Sequence, residues 1–333
     1  LLIDRIANKM TKKQTMTGSE IIVEVLAEQG VETIFGYSGG AILPTYDAVF
    51  QYNENHNNAM PLIVPANEQG AGFMASGYSR ATGKPGIVMV TSGPGATNTV
   101  TPVRDAMADS IPMIVICGQV NRSSIGSDAF QEAPITSVMG SVAKHVFLVT
   151  DENKLAATIR AAFEISTSGR PGPVVVDIPK DIQTADIHYE TSSTLNIDAY
   201  RERVQSIENN RLSDKDCERF FDYLKASSRP LIYSGGGTIA AEATEELRKF
   251  SARFKVPVTT TLMGIGAIDT QSELSLQMLG MHGTAFANYA VEDCDFIIAL
   301  GSRFDDRVAA VPSEFAPKAR AVAHFDIDAS EID

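Results

Sequence analysis

The chain has 333 residues, 44% hydrophobic and 21% charged, which is enough for two domains with substantial cores and ordinary for a globular enzyme. Its formal net charge of −13 argues against nucleic acid and anionic membrane surfaces as main partners. No apolar run approaches the ~20 residues that a membrane-spanning helix needs.

Residues 1–15 contain no apolar signal core and read as a disordered lead-in. "GSEIIVEVLAEQG" follows, an amphipathic helix with Ile21, Ile22, Val25 and Leu26 on one side and Gly30 just past its end. Six strand-like runs then alternate with helical text: "ETIFGY", "PLIVPA", "GIVMVTS", "PMIVICG", "HVFLV" and "GPVVVDIP". Val- and Ile-rich runs separated by helices predict an α/β fold with a parallel sheet covered on both faces. From 183 to 212 the pattern dissolves into polar residues, read as an interdomain linker. A second alternating series fills 213–333: "RPLIYSGGG", "AEATEELRKFSARF", "VPVTTTLMG", "GTAFANYAVEDC", "DFIIALGSR" and "AVAHFDID". It stops one step after a strand, so this second domain is expected to be incomplete.

Three widely spaced cysteines, Cys117, Cys217 and Cys294, fit a reducing compartment and no disulfide framework. Cys117 and Cys294 sit in apolar text and read as core. The five histidines form no pair at metal-ligand spacing, so no metal site is expected from these residues.

Two glycine-rich turns carry the chemistry. Gly36-Tyr37-Ser38-Gly39-Gly40 lies between a strand and a helix and spells G-x-S-x-G, the pattern of a hydrolase nucleophile elbow. That reading needs earlier strands, and only one predicted helix precedes it; the candidate partners, Asp109 and His145, have no telling context. The glycines are better explained as permitting close backbone approach and leaving N–H groups free for a ligand. Ser92-Gly93-Pro94-Gly95 repeats the arrangement after "VMVT". Neither turn matches a dinucleotide fingerprint or a nucleotide P-loop. Two such turns at the carboxyl ends of parallel strands predict a binding crevice there. Between them, Glu68 heads a helix full of small residues (Gly70, Ala71, Gly72, Ala75, Gly77). Alone it reads as a solvated dipole partner. The small neighbours imply instead tight packing, desolvation and a raised pKa, the condition for a proton-relay group.

"GYSGGAILPTYDA", "NEQGAGFMASGYSRATGKPG", "TSGPGATN", "GQV" with "IGSDAFQEAPI", "SGRPGPVVVDIPKD", "LGMHGTAFANYAV" and "GSRFDDRV" together resemble the large catalytic subunit of acetolactate (acetohydroxyacid) synthase, from about Met16 to the end. The resemblance implies a thiamine diphosphate (ThDP) enzyme of three α/β domains. By it, 16–182 is the pyrimidine-binding domain and 213–333 the start of a Rossmann-like central FAD-binding domain. The diphosphate-binding domain, which carries the Mg²⁺ ligands, is absent from this chain, and the chain alone is expected to be inactive. The implied reaction decarboxylates pyruvate on ThDP and joins the resulting hydroxyethyl carbanion to a second 2-keto acid, pyruvate or 2-ketobutyrate. It is the first common step of branched-chain amino-acid biosynthesis.

Residue by residue, the resemblance implies that Glu68 hydrogen-bonds the ThDP aminopyrimidine and that Tyr37 and Gly40 lie against that ring. Phe130 and Gln131 in "AFQE" match active-site residues, and Lys180 in "IPKD" sits at the substrate channel mouth. Arg170, Gly235, Gly236, Gly237, Met281, His282, Gly283, Arg303, Asp305 and Arg307 match FAD contacts, and Asp326 suits a ribose hydroxyl. Implied partners are a second copy, in a dimer or tetramer with the active site between subunits, and a small regulatory subunit. The compartment would be the bacterial cytoplasm, or a plastid or mitochondrion. Two departures stand out: Asn67 replaces the usual His, and Ser38 the usual Pro. The alternatives are another ThDP-dependent decarboxylase or carboligase, and a catalytically silent ligand-binding fragment.

Overall fold

In the computed structural model, which describes residues 14–309 and 311–332, strand β1 (Gln14–Thr17) leads straight into helix α1 (Gly18–Glu28). A capping box fixes that start: Thr17 Oγ1 accepts from Glu20 N at 3.3 Å, and Glu20 Oε2 accepts from Thr17 N at 2.7 Å. Helix α1 then buries Ile21, Ile22, Val25 and Leu26.

The chain continues through β2 (Ile34–Tyr37), α2 (Leu43–Asn55), β3 (Leu62–Ile63), α3 (Glu68–Thr82), β4 (Gly86–Val90), α4 (Pro94–Thr97), α5 (Val100–Ala108) and β5 (Met113–Gln119). After these come α6 (Ile135–Gly140), β6 (His145–Leu148), α7 (Leu155–Thr167), β7 (Pro173–Pro179), α8 (Lys180–Gln183), β8 (Asp186–Tyr189) and α9 (Asp198–Glu208). Strands β2 to β7 form one parallel sheet in the order β3-β2-β4-β5-β7-β6. Every residue of β4, β5 and β7 is buried, which is why these strands read as apolar runs, interrupted only by Gln119 in β5 and Asp177 in β7.

The chain divides into two compact units after Val204. The second holds α10 (Asp214–Ala226), β9 (Pro230–Ser234), α11 (Gly236–Ala240), α12 (Thr244–Phe254), β10 (Val258–Thr260), β11 (Ser275–Met278), α13 (Ala285–Asp293), β12 (Phe296–Leu300) and β13 (Ala321–Phe325). Its five strands are parallel, in the order β11-β10-β9-β12-β13. Phe220 of α10 packs against Phe250, Phe296 and Phe325, with ring centroids 5.8–6.1 Å apart.

Two readings of the sequence need correction. Residues 1–13 of the lead-in lie outside the described residues, but Gln14 and Thr15 belong to β1, which pairs antiparallel with β8 from Gln14↔Tyr189 to Thr17↔Asp186. The segment 183–212 is not an open linker, since it contains β8 and α9. Strand β8 buries only Ile187 and Tyr189, and α9 buries no residue fully, so neither raises the local hydrophobicity enough to stand out. Helix α9 is instead tied down by polar groups: Tyr200 donates to Ser168 O at 3.1 Å, and Arg201 pairs with Glu164 at 2.7 Å.

Candidate ligand sites

Each sheet has a point where adjacent strands lead off in opposite directions. From β2 the chain goes outward to β3 and then back across to β4; from β9 it goes out through β10 and β11 and returns at β12. In open parallel sheets such switch points leave a crevice beyond the carboxyl ends of the two strands. The two glycine turns follow β2 and β4, and Gly235–Gly237 and Gly301 follow β9 and β12.

In the first crevice the turns lean on Thr91. Its Oγ1 accepts from Ala41 N at 3.1 Å, and a Cβ on Gly39 or Gly95 would come within 2.5 or 2.7 Å of its Cγ2. Gly93, at φ +54°, presses on the backbone of Gln131, where a Cβ would meet the carbonyl oxygen at 2.3 Å. That contact brings the "AFQE" segment to the second turn. At Gly40 a Cβ would meet nothing within 4 Å, so space is open beside the first turn.

Glu68 begins α3, and Asn67 caps it, its Oδ1 accepting from Gly70 N at 2.8 Å. The asparagine thus does a helix-starting job that requires no charge. Glu68 Oε2 accepts from Asn98 Nδ2 at 2.9 Å, which links the head of α3 to the turn after β4. Its charge, after burial, pushes the phenol of Tyr46 up; that hydroxyl is buried and donates to Met89 O at 2.9 Å. Glu68 itself is half-buried, not enclosed. The tight packing expected all round α3 exists on one side only: Gly72 lies against Pro102 and Ala75 against Gly86, whereas a Cβ on Gly77 would meet open space.

Phe130 is 88% exposed, Tyr37 is 39% exposed, and Gln131 and Lys180 are exposed. Gln131 has φ +56°, a left-handed backbone that a non-glycine residue adopts only when its surroundings enforce it. Asn98 and Gln183, which the sequence did not single out, hold the crevice together with Thr91. Gln183 is fully buried, donates to Ala41 O at 2.8 Å and Ile178 O at 2.9 Å, and accepts from Thr45 Oγ1 at 2.9 Å. No motif marks it, because its role comes from where α8 lands.

The elbow reading of Ser38 fails on geometry. Ser38 is exposed beyond the carboxyl end of β2. His145 is the first residue of β6, at the far edge of the sheet, and Asp109 is engaged by Arg80 at 2.7 Å. Ser38→Ala should therefore leave turnover of the full-length protein within a few-fold of wild type, and a fluorophosphonate probe should not label Ser38. Covalent labelling at that residue would restore the nucleophile.

In the second unit, Gly235 and Gly237 pack directly on Gly301: Gly235 N donates to Leu300 O at 2.9 Å and Gly237 N to Gly301 O at 3.0 Å. Tyr233 donates to Arg303 O at 2.8 Å, and Met281 N to Arg307 O at 2.9 Å, so the 281–283 and 303–307 segments converge near this crevice. Asp305 and Arg307 pair at 3.1 Å. Met281 and His282 are exposed. Asp326 is largely buried; its Oδ1 accepts from Asp328 N at 2.9 Å, and its Oδ2 lies 4.0 Å from His324. Arg170 belongs to the first unit, where it donates to Ser110 Oγ at 2.9 Å. Cys117 and Cys294 are buried free thiols. Among the described residues no cluster of three His, Cys, Asp or Glu could hold a metal ion, and no helix is long and apolar enough to cross a membrane.

Two family models match the chain: residues 16–141 match the N-terminal TPP binding domain of thiamine pyrophosphate enzymes, and residues 217–333 match their central domain. The chain belongs to the thiamine pyrophosphate enzyme family. Within it, the chain is 45% identical over 328 residues to the mitochondrial acetolactate synthase catalytic subunit of Saccharomyces cerevisiae, covering 95% of this chain and 47% of that protein. It is 45% identical to the acetolactate synthase large subunit of Parasynechococcus marenigrum, covering 96% of this chain and 51% of that protein. To the chloroplastic acetolactate synthase 2 of Nicotiana tabacum it is 44% identical, over 95% of this chain and 46% of that protein. The chain spans about half the length of these relatives.

Proposed function

We propose that this chain supplies the pyrimidine-binding and central FAD-binding parts of an acetolactate synthase catalytic subunit, with residues 16–182 and 213–333 as the two domains. The observation that carries the reading is the Glu68–Asn98 pair, held between two glycine turns at the switch point of the first sheet. The residues present fit a flat heterocycle. Space is open at Gly40, Tyr37 offers a part-exposed ring, and a Cβ at Gly95 would stand 3.6 Å from Glu68 Oε1.

Bound ThDP would supply an acidic carbon that adds to the keto carbon of pyruvate and holds the electrons released with CO₂. Asn98 fixes Glu68 Oε2, leaving Oε1 to hold or take a proton at a ring nitrogen. Gly40 and Gly95 keep side chains out of the ring's place. Phe130 and Gln131 would bound the space for the second 2-keto acid, and Lys180 would attract the carboxylates of incoming substrate. The central crevice would take FAD along Gly235–Gly237, Met281–Gly283 and Arg303–Arg307, with Asp326 as a further contact. Mg²⁺, a second copy that completes the active site, and a small regulatory subunit belong to the same reading.

The test uses the full-length protein with ThDP, Mg²⁺, FAD and pyruvate. Acetolactate and CO₂ are expected, and added 2-ketobutyrate should yield the mixed product. Acetaldehyde without acetolactate would favour the alternative of a decarboxylase that does not join two keto acids.

A further inference from the structure

Buried beside the first crevice is a carboxyl group to which the proposed chemistry gives no task. Asp177 is 1% exposed on β7, with Cys117 of β5 opposite it in register. Its Oδ2 accepts from Gln119 Nε2 at 2.9 Å, while Oδ1 has no hydrogen-bond partner among the described residues. The same Gln119 Nε2 reaches Ala133 O at 3.3 Å, and Gln119 Oε1 accepts from Val120 N at 2.9 Å. Gln119 therefore clamps both ends of the segment 120–133, which carries Phe130 and Gln131. Inside that segment the Glu132 carboxylate accepts from Gly126 N and Ala129 N, so the loop is folded on itself and its attachment matters.

We propose that Asp177 is a positioning residue: through Gln119 it fixes the segment that presents Phe130 and Gln131 at the crevice. That this segment borders the substrate rests on the acetolactate synthase reading; that Asp177 holds it does not.

Burial pushes the Asp177 carboxyl up to about 7, against the Gln119 amide and the Cys117 thiol, which favour its charged form. Among the described residues, Cys117 is the titratable side chain that bears on it. Arg104 and Asp105 on α5, Arg160 and Glu164 on α7, and Lys180 and Asp181 on α8 are all at least partly exposed, unlike Asp177. Helix α6 presents Ile135 and Met139, and His145 of β6 sits opposite Val174, three positions away along β7. A carboxyl that is harder to ionise when closed than when open to water holds the closed state best below its ordinary range near 4. The advantage falls as pH rises toward 7 and is level above that.

The experiment is amide hydrogen exchange on the full chain without substrate, followed at peptides covering 120–134 and 113–118 from pH 5 to 8 and corrected for intrinsic rates. In wild type, opening of 120–134 should become at least tenfold more frequent between pH 5 and 7 and then level off, while the β5 peptide stays protected. Asp177→Asn, which can still accept from Gln119, should keep the segment protected with no pH dependence. Asp177→Leu, which cannot, should lose that protection at every pH. A wild-type segment whose protection does not change with pH, or changes only in step with β5, overturns the proposal without needing either variant to fold. Retained pH dependence in Asp177→Asn overturns it as well. None of these outcomes depends on which keto acids are joined.

Discussion

Glu68→Gln in the full-length protein should lower the rate of acetolactate formation by about 10²–10⁴-fold, or ~3–5 kcal/mol of barrier, with the fold intact. Glutamine can still accept from Asn98 Nδ2, as Glu68 Oε2 does now at 2.9 Å, so the link between the head of α3 and the turn after β4 survives. It cannot carry a proton to or from a ring nitrogen. The loss should fall mainly on kcat under saturating ThDP, with a weaker ThDP affinity beside it. If Glu68 were only a first-turn carboxylate favouring the helix dipole, the change would be under ~1 kcal/mol in stability and nothing in rate. Steady-state kinetics separates the two by orders of magnitude.

Gln183→Leu should cost about 3–5 kcal/mol of folding stability. The leucine fills similar space but strands Ala41 O, Ile178 O and the Thr45 hydroxyl, all now served by one fully buried amide. An orphaned buried polar group costs roughly 1–3 kcal/mol, and some of that is recovered by relaxation or water. Because Ala41 follows Gly40, the variant should also weaken ThDP binding beyond what its stability loss explains. Denaturant unfolding gives the first quantity and ThDP titration of the folded variant the second. A stability loss below ~1 kcal/mol would mean that these groups find other partners.

Most strands of the two parallel sheets were legible because their physics is local. A buried parallel strand is mostly apolar on both faces, and β4, β5 and β7 are, apart from Gln119 and Asp177, so they stand out from the text around them. The glycine turns were legible for the same reason. What failed was whatever depends on partners distant in sequence. Helix α9 is held by Tyr200 and Arg201 against residues more than thirty positions back, so its own composition looks like linker. Strand β11 is only partly buried beside β10 and carries no apolar signature. At the site, Glu68 stood out through its place at a helix start. Asn98 and Gln183, which hold the crevice together, carry ordinary side chains whose meaning appears only when α3 meets the end of α4 and α8 meets Ala41 and α2. The expected enclosure of Glu68 was an over-reading: small residues permit close packing, but only those facing a neighbour, such as Gly72 against Pro102, use it.

The account rests on Glu68 handling a proton for the bound cofactor. The direct measurement is exchange of the C2 proton of ThDP in full-length wild type and Glu68→Gln, both saturated with cofactor, by quenched-flow deuterium labelling. Exchange slowed about 10²-fold or more in the variant, with unchanged circular dichroism, is the predicted result. Equal exchange rates in the two proteins would contradict it.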